Sequence, residues 1–214
     1  MSSPDPLTDH VRTVIARLQD GALKNRAGAV TTLARLRRAP LNDPTADPSV
    51  YQVVFEGFPQ QYQTGELPTH QERAAYVAAC LFSHHQQSKS EHMHRVSQSS
   101  PGGYGLGTAI RRLAQENGTI EPDSAVVRRF NALATADHDT EVIHHVRGLV
   151  GRLRAANLAL DYGRLARDLA DLFSGERSRR ERVQLAWARD FSRPAPSKRA
   201  STPSVPSADS TTTH

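Results

Sequence analysis

Cysteine is almost missing from this chain. Cys80 is the only one among 214 residues, which excludes an internal disulfide framework and a cysteine-based zinc site. No apolar run approaches the roughly 20 residues of a membrane-spanning helix. The N-terminus also lacks the charged-then-apolar pattern of a secretory signal, so the expectation is a soluble, cytoplasmic protein without membrane association. Lysine is nearly absent too (Lys24, Lys89 and Lys198). The positive charge is therefore almost all arginine, whose planar fork suits phosphate oxygens and stacking on bases; codon usage in a GC-rich genome accounts for the same bias without any function.

Signs of catalysis are equally scarce. The segment Ser100-Pro101-Gly102-Gly103-Tyr104-Gly105 is glycine-rich but lacks the Lys-Ser/Thr of a phosphate-binding loop and follows no strand. Nothing places a serine, histidine and aspartate as a triad, and no paired acids suggest a two-metal centre. His84, His85, His92 and His94 cluster in sequence, yet only Glu91 accompanies them. Tight metal sites need three or four ligands with a supporting shell, so a polar loop is the better reading. The chain reads as a non-enzyme with no cofactor and no metal.

The most informative stretch is residues 24–38. It holds five cations and no acid, and Pro40 ends it. At about 100° per residue, Val30, Leu33, Ala34 and Leu36 form one apolar arc. Arg35 and Arg38 fall outside the arc, whereas Arg26 and Arg37 fall inside it. A cation on a covered helix face needs a partner, because an unpaired buried charge is costly. Three answers are open: an internal carboxylate, long stems snorkelling to water, or an external anion, above all a nucleic-acid phosphate. The whole-chain charge of +5 and pI near 9.8 do not decide among them, since distribution matters more than the sum.

Helical periodicity dominates the rest, and no alternating strand pattern occurs. A first helix carries Val11, Val14, Ile15 and Leu18 and stops at Gly21. An aromatic segment over 51–58 reads as helical, and Thr69-His70-Gln71-Glu72 is a capping box opening a helix through Phe82. Residues 83–105 turn to Ser, Gln, His and Gly. A second series follows: Leu106 to Leu113 with Gly118 as a stop, a helix from about Pro122 burying Val126, Val127, Phe130 and Leu133, and another from Asp139 and Thr140 burying Val142, Val146, Leu149, Val150 and Leu153. Then come a helix opened at Asp161 and ended by Gly175, and a last one over 178–191 with Val183, Ala186 and Trp187. The expectation is an all-α protein of two small helical-bundle lobes: 1–85, a polar loop over 86–105, a bundle over 106–192, and a disordered Pro/Ser/Thr-rich tail over 193–214.

His144, Arg147, Gly151 and Arg154 lie at spacings of three, four and three, forming one ridge in which a small residue separates two arginines. A solvated face paired with Asp161 or Glu141 explains that ridge as well as a ligand does, and from spacing alone is favoured. Arg111, Arg112, Arg128 and Arg129 are paired cations on exposed faces, individually uninformative.

Several of these stretches, taken in order, resemble one family. They are Leu33-Ala34-Arg35-Leu36-Arg37-Arg38, Gly105-Leu106-Gly107-Thr108-Ala109-Ile110, Val126-Val127-Arg128-Arg129-Phe130, His145-Val146-Arg147-Gly148-Leu149-Val150, Leu160-Asp161-Tyr162-Gly163-Arg164-Leu165-Ala166-Arg167-Asp168-Leu169 and Trp187-Ala188-Arg189-Asp190-Phe191. Over about residues 8–191 the chain resembles CasB, the small subunit of the type I-E CRISPR surveillance complex Cascade. The resemblance implies a non-catalytic, two-lobed helical protein present in two copies beside the other Cascade subunits and their guide RNA. It also implies that the protein holds the displaced DNA strand of the R-loop in a basic groove and supports the guide–target side. Carried over residue by residue, it points to Arg37, Arg38 and Arg147, and by neighbourhood to Arg26, Arg111, Arg128, Arg129 and Arg154. Gly105 stands where the family usually has Ser, and Thr108 where a cation is common, so a phosphate contact from that turn is not carried over. The expected binding is weak, independent of sequence and salt-sensitive, to single strands and, since nothing rejects it, to duplex. With about 4–6 phosphate contacts the log–log salt slope on a single strand is roughly −3 to −4. The competing expectation is a purely architectural subunit whose arginines pair with acidic protein surfaces. A helical transcriptional regulator is disfavoured, for want of a helix-turn-helix.

Overall fold

The structure is a computed structural model, and it describes residues 5–96, 103–115 and 120–193. The Gly118 stop, positions 97–102 of the polar loop and the tail from 194 onward lie outside those residues. All the regular elements described are helices; the nearest thing to a strand is a lone bridge between His94 and Leu160. The all-α expectation is met.

Helix α1 (Pro6–Leu23) starts where the Asp5 carboxylate accepts the Thr8 backbone N–H at 3.0 Å, with Pro6 in the first turn, where a missing N–H costs nothing. Its Val11, Val14, Ile15 and Leu18 stripe is buried. The cationic stretch becomes helix α2 only from Ala27 to Arg38. Asn25 takes φ 51° and Arg26 is the extended N-cap, which puts Arg26 outside the helix, not on its covered face. Val30 is 40% exposed and so outside the core that Leu33 and Leu36 enter. Helix α3 (Pro48–Phe55) and a one-turn 3-10 helix (Gln60–Tyr62) lead to α4 (His70–Gln86). The capping box forms as its sequence predicts: Thr69 Oγ1 accepts the Glu72 N–H at 3.2 Å, and the Glu72 carboxylate accepts the Thr69 N–H at 2.8 Å. Every residue of α4 from 74 to 83 is buried, as befits a helix apolar on all sides.

Helices α5 (Leu106–Ala114), α6 (Ala125–Thr135), α7 (Asp139–Ala155), α8 (Tyr162–Phe173) and α9 (Arg177–Ser192) follow. On α9 the apolar stripe is Val183 and Trp187, while Ala186 is exposed. Packing groups α1, α2, α3 and α8 around α4, and groups α5, α6 and α9 together, with α7 touching α4 on one side and α5 and α6 on the other. The grouping crosses the chain order, since α8 lies against α1 and α4. Both groups share one hydrophobic cluster.

Two glycines mark where helices press together. A Cβ on Gly107 of α5 would collide with the Trp187 carbonyl oxygen and lie 2.9 Å from Asp190 Cβ on α9. A Cβ on Gly163 of α8 would lie 2.6 Å from both Thr8 O and Arg12 Cγ of α1. The described part of the polar segment is tied down by two glutamines. The Gln86 amide donates to Lys89 O and Glu91 O and accepts the Met93 N–H. Gln19 accepts the His94 N–H at 2.7 Å and donates to its carbonyl at 3.2 Å. His94 Nδ1 in turn accepts the Tyr162 N–H, and His85 Nδ1 pairs with the Tyr162 hydroxyl at 2.9 Å. Met93, His85 and His94 are thereby core residues.

Candidate nucleic-acid interface

Three chain segments without a single carboxylate meet at one place: α2, the part of α4 after Glu72, and α7 from Val142 to its end. Arg37, at the C-terminal turn of α2, is half-buried and lines a small depression with Leu36, Ala39, Leu41, Cys80, Leu81, His84 and Arg147. Desolvation, and then repulsion from Arg38 and Arg154, holds its guanidinium below its ordinary pKa. His84 feels Arg154, Arg147 and Arg37 together. A cluster of cations that bears on Arg37 and His84 in this way, with no acid between them, is an unbalanced positive site.

The carboxylates that could have quenched the α7 ridge are engaged elsewhere. Asp161 takes Arg12 in a two-point pair at 3.2 and 2.6 Å, and Glu141 lies 3.6 Å from His145. Arg147 is exposed. Arg154 is half-buried, and its Nε and Nη2 both donate to the Gln87 carbonyl at 3.1 and 3.0 Å, a bond that fixes the fork and leaves its charge uncompensated. Arg38 is exposed beside Arg37. The structure thus brings Arg37, Arg38, Arg147 and Arg154 together around the end of α4.

The other sequence-derived candidates are placed differently. Arg26 lies 3.6 Å from Asp20, which also pairs with Lys24 at 2.6 Å. Arg111 Nη1 donates to the Phe191 carbonyl at 2.8 Å and its Nε is buried without a partner, so it ties α5 to the end of α9. Arg112 lies over the Tyr104 ring at 5.2 Å. Arg128 donates to the Asp123 carbonyl. Arg129 covers Gly148 of α7 so closely that a Cβ there would collide with its guanidinium. Gly105 is the N-cap of α5 and makes no side-chain cap bond, the bond a Ser would supply. Asp161 and Gly163 carry an architectural signal: the first caps α8 through the Gly163 and Arg164 N–H groups and holds Arg12, and the second admits α1.

Two of the histidines, His85 and His94, are buried. His85 is pushed down to about 4 by desolvation first, with Lys89 and His84 adding to it, and it serves Tyr162. Among the described residues no three His, Cys, Asp or Glu side chains are placed to hold a metal ion, and no helix is long and apolar enough to cross a membrane. His84, which the sequence assigns to a polar loop, stands instead in the last turn of α4 beside the arginines. Its signal, a histidine one turn beyond Cys80 on a helix that faces the Arg147–Gly151–Arg154 ridge, exists only once α4 and α7 are docked.

Comparison with known proteins agrees with the all-helical fold. A family model described as CRISPR-associated protein Cse2 matches residues 32–191. Among solved structures, the chain is similar to CasB from Thermobifida fusca, with 28% identity and a TM-score of 0.70 over 88% of this chain and 99% of that one. It is similar as well to a CRISPR-associated protein of the Cse2 family from Thermus thermophilus, with 26% identity and a TM-score of 0.60 over 86% of this chain and 96% of the other. No curated protein matches it.

Proposed function

From the premise that the chain belongs to the CRISPR-associated Cse2 family, we propose that it is a non-catalytic subunit of a type I-E Cascade complex and binds nucleic-acid backbone through the α2/α4/α7 cluster. One observation carries this reading: Arg37, Arg38, Arg147 and Arg154 converge without a carboxylate among them. Such a site takes a polyanion, and phosphates supply affinity without sequence information. R-loop formation exchanges one duplex for another of similar stability, so modest backbone contacts tip the balance. The displaced single strand is the ligand that this reading assigns to the cluster, with the guide–target backbone second, other Cascade subunits as protein partners and a second copy of the chain in the same complex.

The test is a gel-shift titration of wild type and the double variant Arg37→Glu/Arg147→Glu against single-stranded DNA, duplex DNA and RNA at two salt concentrations, with Cascade assembly followed in parallel. Intact assembly with lost strand binding and a weakened R-loop upholds the proposal. Failed assembly with free-strand binding untouched makes the arginines docking residues for acidic protein surfaces and the subunit purely architectural.

A further inference from the structure

Backbone binding by the four arginines leaves His84 without a part, although it sits in the middle of the cluster. It occupies the last turn of α4, half-buried, with Nε2 4.0 Å from where a Cβ would stand on Gly151 of α7. Gly151 meets nothing else within that distance, so the space over the ridge between Arg147 and Arg154 stays open down to the imidazole. Of the other covered histidines, His10 pairs with Val54 O, His85 with Tyr162, and His94 accepts the Tyr162 N–H, while the unpartnered nitrogens of His70 and His145 are buried. No hydrogen bond among the described residues occupies either ring nitrogen of His84, and neither nitrogen is buried away from solvent.

The groups facing it come from three helices. Arg37 reaches it from α2, and Arg147 and Arg154 from α7. On its own helix stand His85, turned to Tyr162, and Cys80, whose thiol burial pushes up to about 12 and so keeps neutral. Every charge acting on the ring is a cation. A neutral imidazole with free nitrogens, ringed by guanidinium groups, lacks one thing to become a donor: an anion. A phosphodiester supplies that charge and accepts the N–H it creates.

We propose that the His84 imidazole is a phosphate contact of this cluster, and that seating a phosphodiester over Gly151, between Arg147 and Arg154, protonates it. The proposal rests on the nucleic-acid reading of the cluster. In the free protein, desolvation first, then Arg154, Arg147 and Arg37, hold His84 below the ordinary histidine value; a bound phosphate raises it. Binding then takes up a proton between the free and bound values. Affinity climbs as pH falls through the bound value and levels off below the free one.

The experiment is fluorescence anisotropy of a labelled oligo-dT with the full chain between about pH 5.5 and pH 7.5 at constant ionic strength, for wild type and His84→Gln. The wild-type affinity is expected to rise on acidification by up to about tenfold per pH unit inside the window, while His84→Gln loses most of that rise. A second measurement needs no variant: the His84 imidazole is titrated by NMR in wild type alone, with oligo-dT, and with inorganic phosphate. An upward shift of its titration with oligo-dT supports the contact, and a shift with oligo-dT but not with inorganic phosphate assigns it to the strand rather than to free phosphate. A His84 titration unmoved by bound oligo-dT overturns it, as does an equal pH dependence in wild type and His84→Gln, both leaving the cluster reading intact. Absence of strand binding at every pH overturns both.

Discussion

The molecule has two arginine-rich faces that differ in one respect. Where α1, α8 and α9 meet, cations and acids alternate: Arg12 pairs with Asp161 at 2.6 Å, Arg164 with Asp190 at 3.1 Å, Arg179 with Glu176 at 2.9 Å, and Arg193 with Asp190 at 3.2 Å. Where α2, α4 and α7 meet, cations gather and repel one another. The first face uses its charge to hold helices together, so it projects little field. The second keeps its charge unneutralised, which is how a protein with a net charge of only +5 still presents a strong local site. Counting arginines cannot separate the two; counting the acids beside them can.

Removing a charge from each face separates stability from binding. The largest effect is expected from Asp161→Ala, because Asp161 is buried, caps α8 and is the partner of Arg12. Urea denaturation should show a loss of about 3–5 kcal/mol, with the affinity of the remaining folded protein for single-stranded DNA unchanged. A fall in that affinity would break the comparison.

Next in size is Arg37→Glu/Arg147→Glu, expected to weaken strand binding by about 2–3 kcal/mol, or roughly 30- to 150-fold, without lowering the melting temperature. The matched reversal Arg167→Glu/Arg182→Glu, at exposed positions on the mixed face, should cost less than about threefold near 0.15 M salt. Equal losses from the two doubles would make the binding a matter of net charge alone. The neutral pair Arg37→Gln/Arg147→Gln sharpens the point, since losing two phosphate contacts should flatten the log–log salt slope on a single strand by about 1.4.

The smallest effect belongs to Asp168, which accepts the Trp187 indole N–H at 2.7 Å while burial pushes its carboxyl up to about 6 from 3.8. A raised acid binds a proton in the fold that the unfolded chain releases. Its contribution to stability is therefore greatest below about pH 4, declines as pH rises to about 6 and is lowest above that. Asp168→Asn keeps an acceptor for the indole, so thermal melts should show a gain in stability at pH 7.5 that largely disappears at pH 4.

Much of the fold is legible in the sequence because it is local. Asp161 as a helix start, the Thr69–Glu72 capping box and the buried stripe of α7 all follow from periodicity and cap chemistry. Arg147 and Arg154 are legible as a ridge, but not as an unpaired one, because whether Asp161 reaches them depends on Arg12, far away in the chain, claiming it first. Arg111 shows the converse: its helix position is readable, its bond to the Phe191 carbonyl is not. Periodicity misplaces Arg26 and Val30 on the covered face because a left-handed Asn25 delays α2, and no propensity marks which side of a short helix a neighbour will cover. His84 and the fastened segment after α4 escape for the same reason, since both depend on α7 and α8 being docked.

Trp187 is the only tryptophan in the chain, 2% exposed, bonded to Asp168 and 6.4 Å from the Phe130 ring. A lone indole so enclosed makes the protein its own optical probe. Its emission should sit toward the blue, resist acrylamide quenching, and move to the red when α9 leaves α8. It borders none of the residues around His84, so an oligonucleotide seated there changes the light from a label on the strand while the intrinsic light stays constant. Unfolding and strand binding can then be followed in one cuvette at two wavelengths.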